Sequence, residues 1–98
     1  MDMFAGILVK LIKLVSALRS IVTKSTELTN NGQICFIMEE MIDERFSLFM
    51  NYTDGKLMLV DKRNGNFDVK SIYNVMEDID TIGTQLSSDY IAYSSLLA

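Results

Sequence analysis

The chain holds thirteen carboxylates, one thiol and no histidine, and that inventory limits the chemistry open to it. Without imidazole there is no His-based triad, no His-ligated zinc and no imidazole acid–base catalyst. Cys35 is the one conventional thiol nucleophile, and a lone Cys builds neither an intramolecular disulfide nor a Cys-only zinc site. Its neighbours Ile34, Phe36 and Ile37 read as a buried strand, where a thiol behaves as a small hydrophobe with a raised pKa. No basic residue lies within nine positions to activate it. Cys35 is therefore read as structural.

The carboxylates gather at Glu39-Glu40, Asp43-Glu44 and Glu77-Asp78-Asp80. Paired carboxylates do acid–base work or bind hard cations only where geometry makes them converge. Read as helical, Glu77, Asp78 and Asp80 sit at about 140°, 240° and 80° on the wheel, spread round the solvent side. The run Asp61-Lys62-Arg63-Asn64-Gly65 fails as a calcium loop, since Arg63 and Gly65 occupy the third and fifth ligand positions. The glycines at 6, 32, 55, 65 and 83 are too dispersed for a dinucleotide fingerprint. Gly55-Lys56 is followed by Leu57 and lacks the upstream glycine of a phosphate loop. No cofactor or metal is expected, and the protein is read as non-enzymatic.

Positive charge concentrates at Lys56, Lys62, Arg63 and Lys70, near Phe46, Phe49 and Tyr52. This could imitate a stacking platform for single-stranded nucleic acid. A pI of 4.6 opposes phosphate binding. The aromatics read as core, and direct nucleic-acid binding is not expected.

The elements that must position these groups follow from periodicity. Phe4, Ile7, Leu8, Leu11, Leu14, Val15, Leu18, Ile21 and Val22 keep helical spacing, so residues 1–24 read as one amphipathic helix. Lys10, Lys13, Arg19 and Lys24 lie opposite. Residues 34–38, 45–52 and 56–62 are β-prone runs, the first stopped by Glu39 and Glu40. Thr53-Asp54-Gly55 signals the hairpin between the second and third runs, and Asn64-Gly65 turns the chain again. Residues 66–69 read equally as loop or as a short fourth strand, and three strands are expected. From Val69 to Leu97 a 3-or-4 spacing predicts a long helix capped by Asp68, with Gly83 and Ser87-Ser88-Asp89 as points where it could kink or split. The expected fold is α+β: an amphipathic helix, a three-stranded antiparallel sheet and a long C-terminal helix in one domain spanning 1–98.

Length and composition agree with that size. A 98-residue chain with 49% apolar residues and 22% charged residues has the makings of one modest core. Asp2 precedes the first apolar stretch and Lys10 and Lys13 interrupt it, which is not the pattern of a signal peptide. The apolar run 3–9 is far shorter than the roughly 18 residues that span a bilayer, and a cytoplasmic protein is expected. Usage rich in Ile, Asn, Lys and Met points to an AT-rich microbial or viral gene.

Function is approached through surfaces. Phe46, Leu48, Met50 and Tyr52 alternate with Phe49, and Leu57 and Leu59 alternate with Met58 and Val60, so both sheet faces are apolar and the second needs a cover. A homodimer burying part of Leu11, Leu14 and Leu18 is expected. Residues 1–24 carry a net +3, against −3 for 25–63 and −4 for 64–98. The leading expectation is an adaptor or inhibitor that docks Glu39, Glu40, Asp43, Glu44, Glu77, Asp78 and Asp80 on a basic protein partner. The alternatives are a peripheral membrane-surface protein using the basic helix 1–24, and a small enzyme or ligand carrier with an unrecognised site.

Overall fold

The computed structural model describes residues 3–30, 37–51 and 53–95. Helix α1 (Met3–Asn30) is followed by strands β1 (Ile37–Met41), β2 (Phe46–Asn51) and β3 (Lys56–Asp61). A single 3-10 turn (Arg63–Gly65) leads to β4 (Asp68–Asn74) and helix α2 (Ile79–Ser95). The strands form an antiparallel meander in the order β1-β2-β3-β4. Both helices pack on one face of it, and the architecture is α+β.

Helix α1 outlasts the 24 residues assigned to it, because the polar stretch after Lys24 holds no Gly or Pro to stop a helix. Residues 34–36 of the first β-prone run, Cys35 among them, lie outside the described residues. Strand β1 runs through Glu39 and Glu40 rather than ending at them. Glu is a poor strand former, but both side chains here find donors. Glu39 Oε2 accepts from Ser47 Oγ at 2.6 Å and Lys62 Nζ at 2.9 Å. Glu40 Oε1 accepts from Ser20 Oγ at 3.0 Å and Lys24 Nζ at 2.5 Å, tying α1 to the sheet.

The hairpin forms where its turn chemistry placed it. Gly55 takes φ +69° and donates its N–H to the Asn51 carbonyl at 3.0 Å. The second turn uses two consecutive left-handed residues, Asn64 (φ 59°) and Gly65 (φ 75°).

Beyond that turn the helical expectation is corrected. The sheet has four strands, and the segment from Asp68 to Asn74 is β4, paired to β3 with a bulge between Leu59 and Val60. Val69, Ile72 and Val75 satisfy helical spacing, but Val69, Ile72, Tyr73 and Val75 are all β-formers. Pairing them also removes the open edge that β3 would otherwise present. The helix therefore starts at Ile79, and its cap is Asp78, not Asp68. Asp78 Oδ2 accepts the N–H groups of Asp80 and Thr81, both at 3.2 Å, and its carbonyl accepts that of Ile82. Asp78→Ala is expected to lower the unfolding free energy by about 1 kcal/mol, and Asp68→Ala by only a few tenths. Thermal unfolding of the two variants ranks them, and the reverse order would return the cap to Asp68.

Helix α2 runs unbroken through Gly83 and Ser87-Ser88-Asp89, so neither kinks it. Gly83 faces α1, where a Cβ would stand 3.6 Å from Leu18 Cδ2. The core joins Leu14, Leu18 and Ile21 of α1, Leu48, Met50, Leu57 and Leu59 of the sheet, and Ile82, Leu86 and Tyr90 of α2.

Candidate functional site

Strand alternation sorts the sheet residues onto two faces, and the helices cover one. On the other, the register aligns Glu39, Phe49, Met58 and Ile72 across all four strands, with Met41, Ser47, Val60 and Val69 beside them. Phe67, from the loop before β4, lies over Phe49 with ring centroids 5.8 Å apart. Met41 is 60% exposed, Phe67 65% and Ile72 62%, and Val69 is half-exposed. Single exposed apolar residues are ordinary; here several lie together on one sheet face. An antiparallel sheet meant to face water on that side would be polar there. The Glu39–Lys62 ion pair crosses this face, and Ser47 is fully buried beneath it with its hydroxyl on Glu39.

The seven acids expected to form one docking surface are divided by the fold. Glu39 and Glu40 are neighbours on β1 and therefore point to opposite faces. Each is held by a lysine and a serine, and these donors lower both pKa values below the ordinary carboxylate range. Asp43 folds the bend between β1 and β2. Its Oδ1 accepts the N–H groups of Arg45 (2.8 Å) and Phe46 (2.6 Å), and its Oδ2 accepts the Tyr90 hydroxyl at 2.6 Å. Glu44 is exposed beside a groove of about 850 Å³ between the start of α1 and this bend, which Lys10, Lys13 and Ser94 also line. Glu77, Asp78 and Asp80 stay together, around the turn into α2. They share that end of the molecule with Asp54, because Val75 donates its N–H to the Gly55 carbonyl. Glu77 and Ile72 line the same shallow groove along β4, with Lys56 and Asp89. The acidic end thus adjoins the open sheet face.

The tightest polar cluster is one that sequence reasoning missed. Asp61, at the end of β3, accepts Arg45 Nε at 3.0 Å and Arg45 Nη2 at 2.5 Å, and also the Arg63 N–H at 3.0 Å. The Arg45 pairing holds its carboxyl at about 2. The Arg45 guanidinium lies 4.4 Å from the Phe46 ring centroid, and Phe46 packs edge-on against Tyr90. Tyr90 and Tyr73 are both raised above the ordinary phenol value, by burial and by the carboxylates Asp43 and Asp89 that they donate to. Such groups hold one protonation state around neutral pH and already have partners. Their arrangement fixes strands and helices in place. Among the described residues, no group of three or more Asp, Glu, His or Cys could hold a metal ion.

The basic residues and aromatics near β3 do not make one platform. Phe46 lies in the core and Phe49 on the opposite face, while Tyr52 is outside the described residues. Of the residues expected to join a second copy, Leu14 and Leu18 are 0% and 2% exposed inside this chain's own core, and Leu11 is partly buried at its margin. Their apolar spacing serves the intramolecular helix–sheet contact. Sequence reasoning also missed Phe67, Val69 and Ile72: Phe67 lies in the loop before β4, and Val69 and Ile72 reach one face only through the register shift in the β3–β4 pairing, which strict alternation does not show. In comparison with known proteins, the chain matches no family model, no curated protein and no solved structure.

Proposed function

We propose that this protein is a non-enzymatic protein-interaction module, an adaptor or inhibitor, that engages its partner through the open face of the sheet. The carrying observation is the contiguous apolar group Met41, Phe49, Met58, Phe67, Val69 and Ile72 on a face that neither helix covers. Burying such residues against a partner removes apolar area from water, the dominant favourable contribution to association. The exposed acids Glu77 and Asp80, at the end that adjoins this face, steer a basic partner toward it, an effect that weakens with salt. In this reading Glu39, Glu40 and Asp43 serve the fold, and the acidic docking surface contracts to the end holding Glu77, Asp78 and Asp80.

Affinity capture from the native host tests the reading with two variants. Ile72→Lys combined with Phe67→Asp is expected to abolish recovery of the partner while leaving the unfolding midpoint within a few degrees. Glu77→Lys with Asp80→Lys is expected to reduce recovery and flatten its salt dependence; Asp78 is left in place because it caps α2. Recovery unchanged by Ile72→Lys with Phe67→Asp would remove the sheet face from the interface. A second copy is the competing occupant, and sedimentation separates the two. A dimer mass that this double variant turns monomeric would assign the face to self-association.

A further inference from the structure

The two outer edges of the described sheet are finished differently. In an antiparallel ladder each residue directs its backbone N–H and C=O to one side, and successive residues alternate. Ile42 donates its N–H to the Phe46 carbonyl at 3.0 Å, and Lys62 donates to that of Arg45 at 2.8 Å. With the strand register, these bonds turn the even-numbered residues of β2 toward β1 and the odd-numbered ones toward β3. Glu40 therefore bonds Leu48, and the backbone groups of Glu39 and Met41 point away from β2, along the outer edge. Both residues are exposed. At the other edge, β4 is guarded. The Lys70 carbonyl accepts the Tyr93 hydroxyl at 3.0 Å, and the Asn74 carbonyl accepts the Glu77 N–H at 3.0 Å. A bulge also interrupts its pairing with β3, and bulges keep an edge from recruiting another strand. Strand β1 pairs with β2 without a register shift and holds no Pro.

The charges on β1 decide what its edge can accept. Consider β1 paired antiparallel with β1 of a second copy, so that Glu39 and Met41 both bond. The register then sets Glu39 against Glu39 of the second copy, or Glu40 against its Glu40. Like charges directly opposite are unfavourable, so the edge is guarded against its own kind. It is open to a basic strand. Glu39 takes both its donors, Ser47 and Lys62, on Oε2. Four acids stand between residues 39 and 44, and Lys24 and Lys62 pair with two of them. The edge is therefore acidic even with its ion pairs made.

We propose that the outer edge of β1 accepts an extended segment of a partner protein as a fifth, antiparallel strand, with a basic side chain opposite Glu39 and an apolar one opposite Met41. The backbone of such a strand satisfies the N–H and C=O groups that Glu39 and Met41 direct outward. Its basic side chain reaches Glu39 Oε1. Its apolar side chain continues the row Met41, Ser47, Val60 and Val69 across the sheet. The edge of β1 and the open face toward β4 are different surfaces, so each reading can fail without the other.

The probe is a capped synthetic peptide of about seven residues in which lysine and valine, taken in turn, alternate with threonine. It is titrated into the full chain and followed by amide NMR. Hydrogen exchange at the Glu39 and Met41 amides is expected to slow at least about tenfold, with no change at Ile72. Replacing the peptide's lysines by glutamate is expected to weaken binding at least about tenfold. N-methylation of its lysines and valines is expected to abolish binding, and N-methylation of its threonines to leave it, because only the former face β1. Met41→Pro removes an outward N–H without breaking the ladder to β2 and is expected to abolish binding. Met41→Ala keeps that N–H and is expected to retain affinity within about threefold. Thermal unfolding confirms that both variants fold, and the N-methylated peptides test the same bonds on the unaltered protein. Ile72→Lys, on the opposite edge, is expected to leave the peptide bound. No slowing at Glu39 and Met41 would overturn the proposal, as would equal binding of the glutamate peptide or binding that survives Met41→Pro. So would a wild-type dimer that Met41→Pro makes monomeric, because a second copy would then hold the edge.

Discussion

Leu14→Ala and Leu18→Ala are each expected to lower the unfolding free energy by about 2–5 kcal/mol, against less than about 0.5 kcal/mol for Ile12→Ala. All three sit on one helix and look alike in sequence. Leu14 and Leu18 are sealed between α1, the sheet and α2, and Leu18 lies against Gly83. Truncating either removes buried methyl groups and leaves a cavity that two flanking layers close only in part. Ile12 faces outward and gives up little on truncation. Urea unfolding at two protein concentrations tests this. An interface role for Leu14 and Leu18 would instead make the wild-type midpoint rise with concentration and the variants' midpoints independent of it. Equal losses at all three positions would contradict the burial described for α1.

The contrast between Leu14 and Ile12 also shows what could be read from sequence. The amphipathic period of α1, the hairpin at Asp54-Gly55 and the turn at Asn64-Gly65 were legible because local chemistry and tertiary demand agree there. In residues 68–76 they conflict. Val69, Ile72, Val75 and Met76 fit a helical period, and only pairing with β3 shows that Ile72 and Tyr73 point to opposite faces. Misreading that segment displaced the cap by ten residues, from Asp68 to Asp78. It also hid the outer face, since Val69 and Ile72 were read as part of a helix. That the sheet would be apolar on both sides was legible from the alternation in β2 and β3. Which apolar residues of α1 remain outside was not, because the exposed Leu8, Ile12 and Val15 merge with the buried Leu14, Leu18 and Ile21 into one hydrophobic pattern. The acids show the same limit: seven carboxylates in two stretches, 39–44 and 77–80, read as one surface, while partners distant in sequence, such as Lys62 for Glu39 and Tyr90 for Asp43, decide which remain free.

Asp61→Ala is expected to destabilise the fold by about 3 kcal/mol, a larger loss than any other single polar change considered above. Asp61 is nearly buried, its side chain 5% exposed, and it anchors Arg45 through two parallel hydrogen bonds at the start of β2. It also accepts the Arg63 N–H, fixing the turn that leads to β4. Removing the carboxylate strands a half-buried guanidinium over Phe46 and loosens the end of the β2–β3 pair where Phe46 faces Asp61. The pH dependence has a definite sign. The folded value of about 2 lies below the ordinary 3.8, so the folded state favours the ionised carboxylate. Its contribution is fully present above the ordinary value and is lost as pH falls toward 2. Glu39 and Glu40, also lowered, act in the same direction. Chemical denaturation between pH 2 and pH 6 is therefore expected to show stability falling toward acid, with a shallower fall in Asp61→Asn than in the wild type. An acid limb of equal slope in the two proteins would mean that the Arg45–Asp61 pair is not formed in solution. The arginine that stacks on Phe46 would then be free to bind elsewhere.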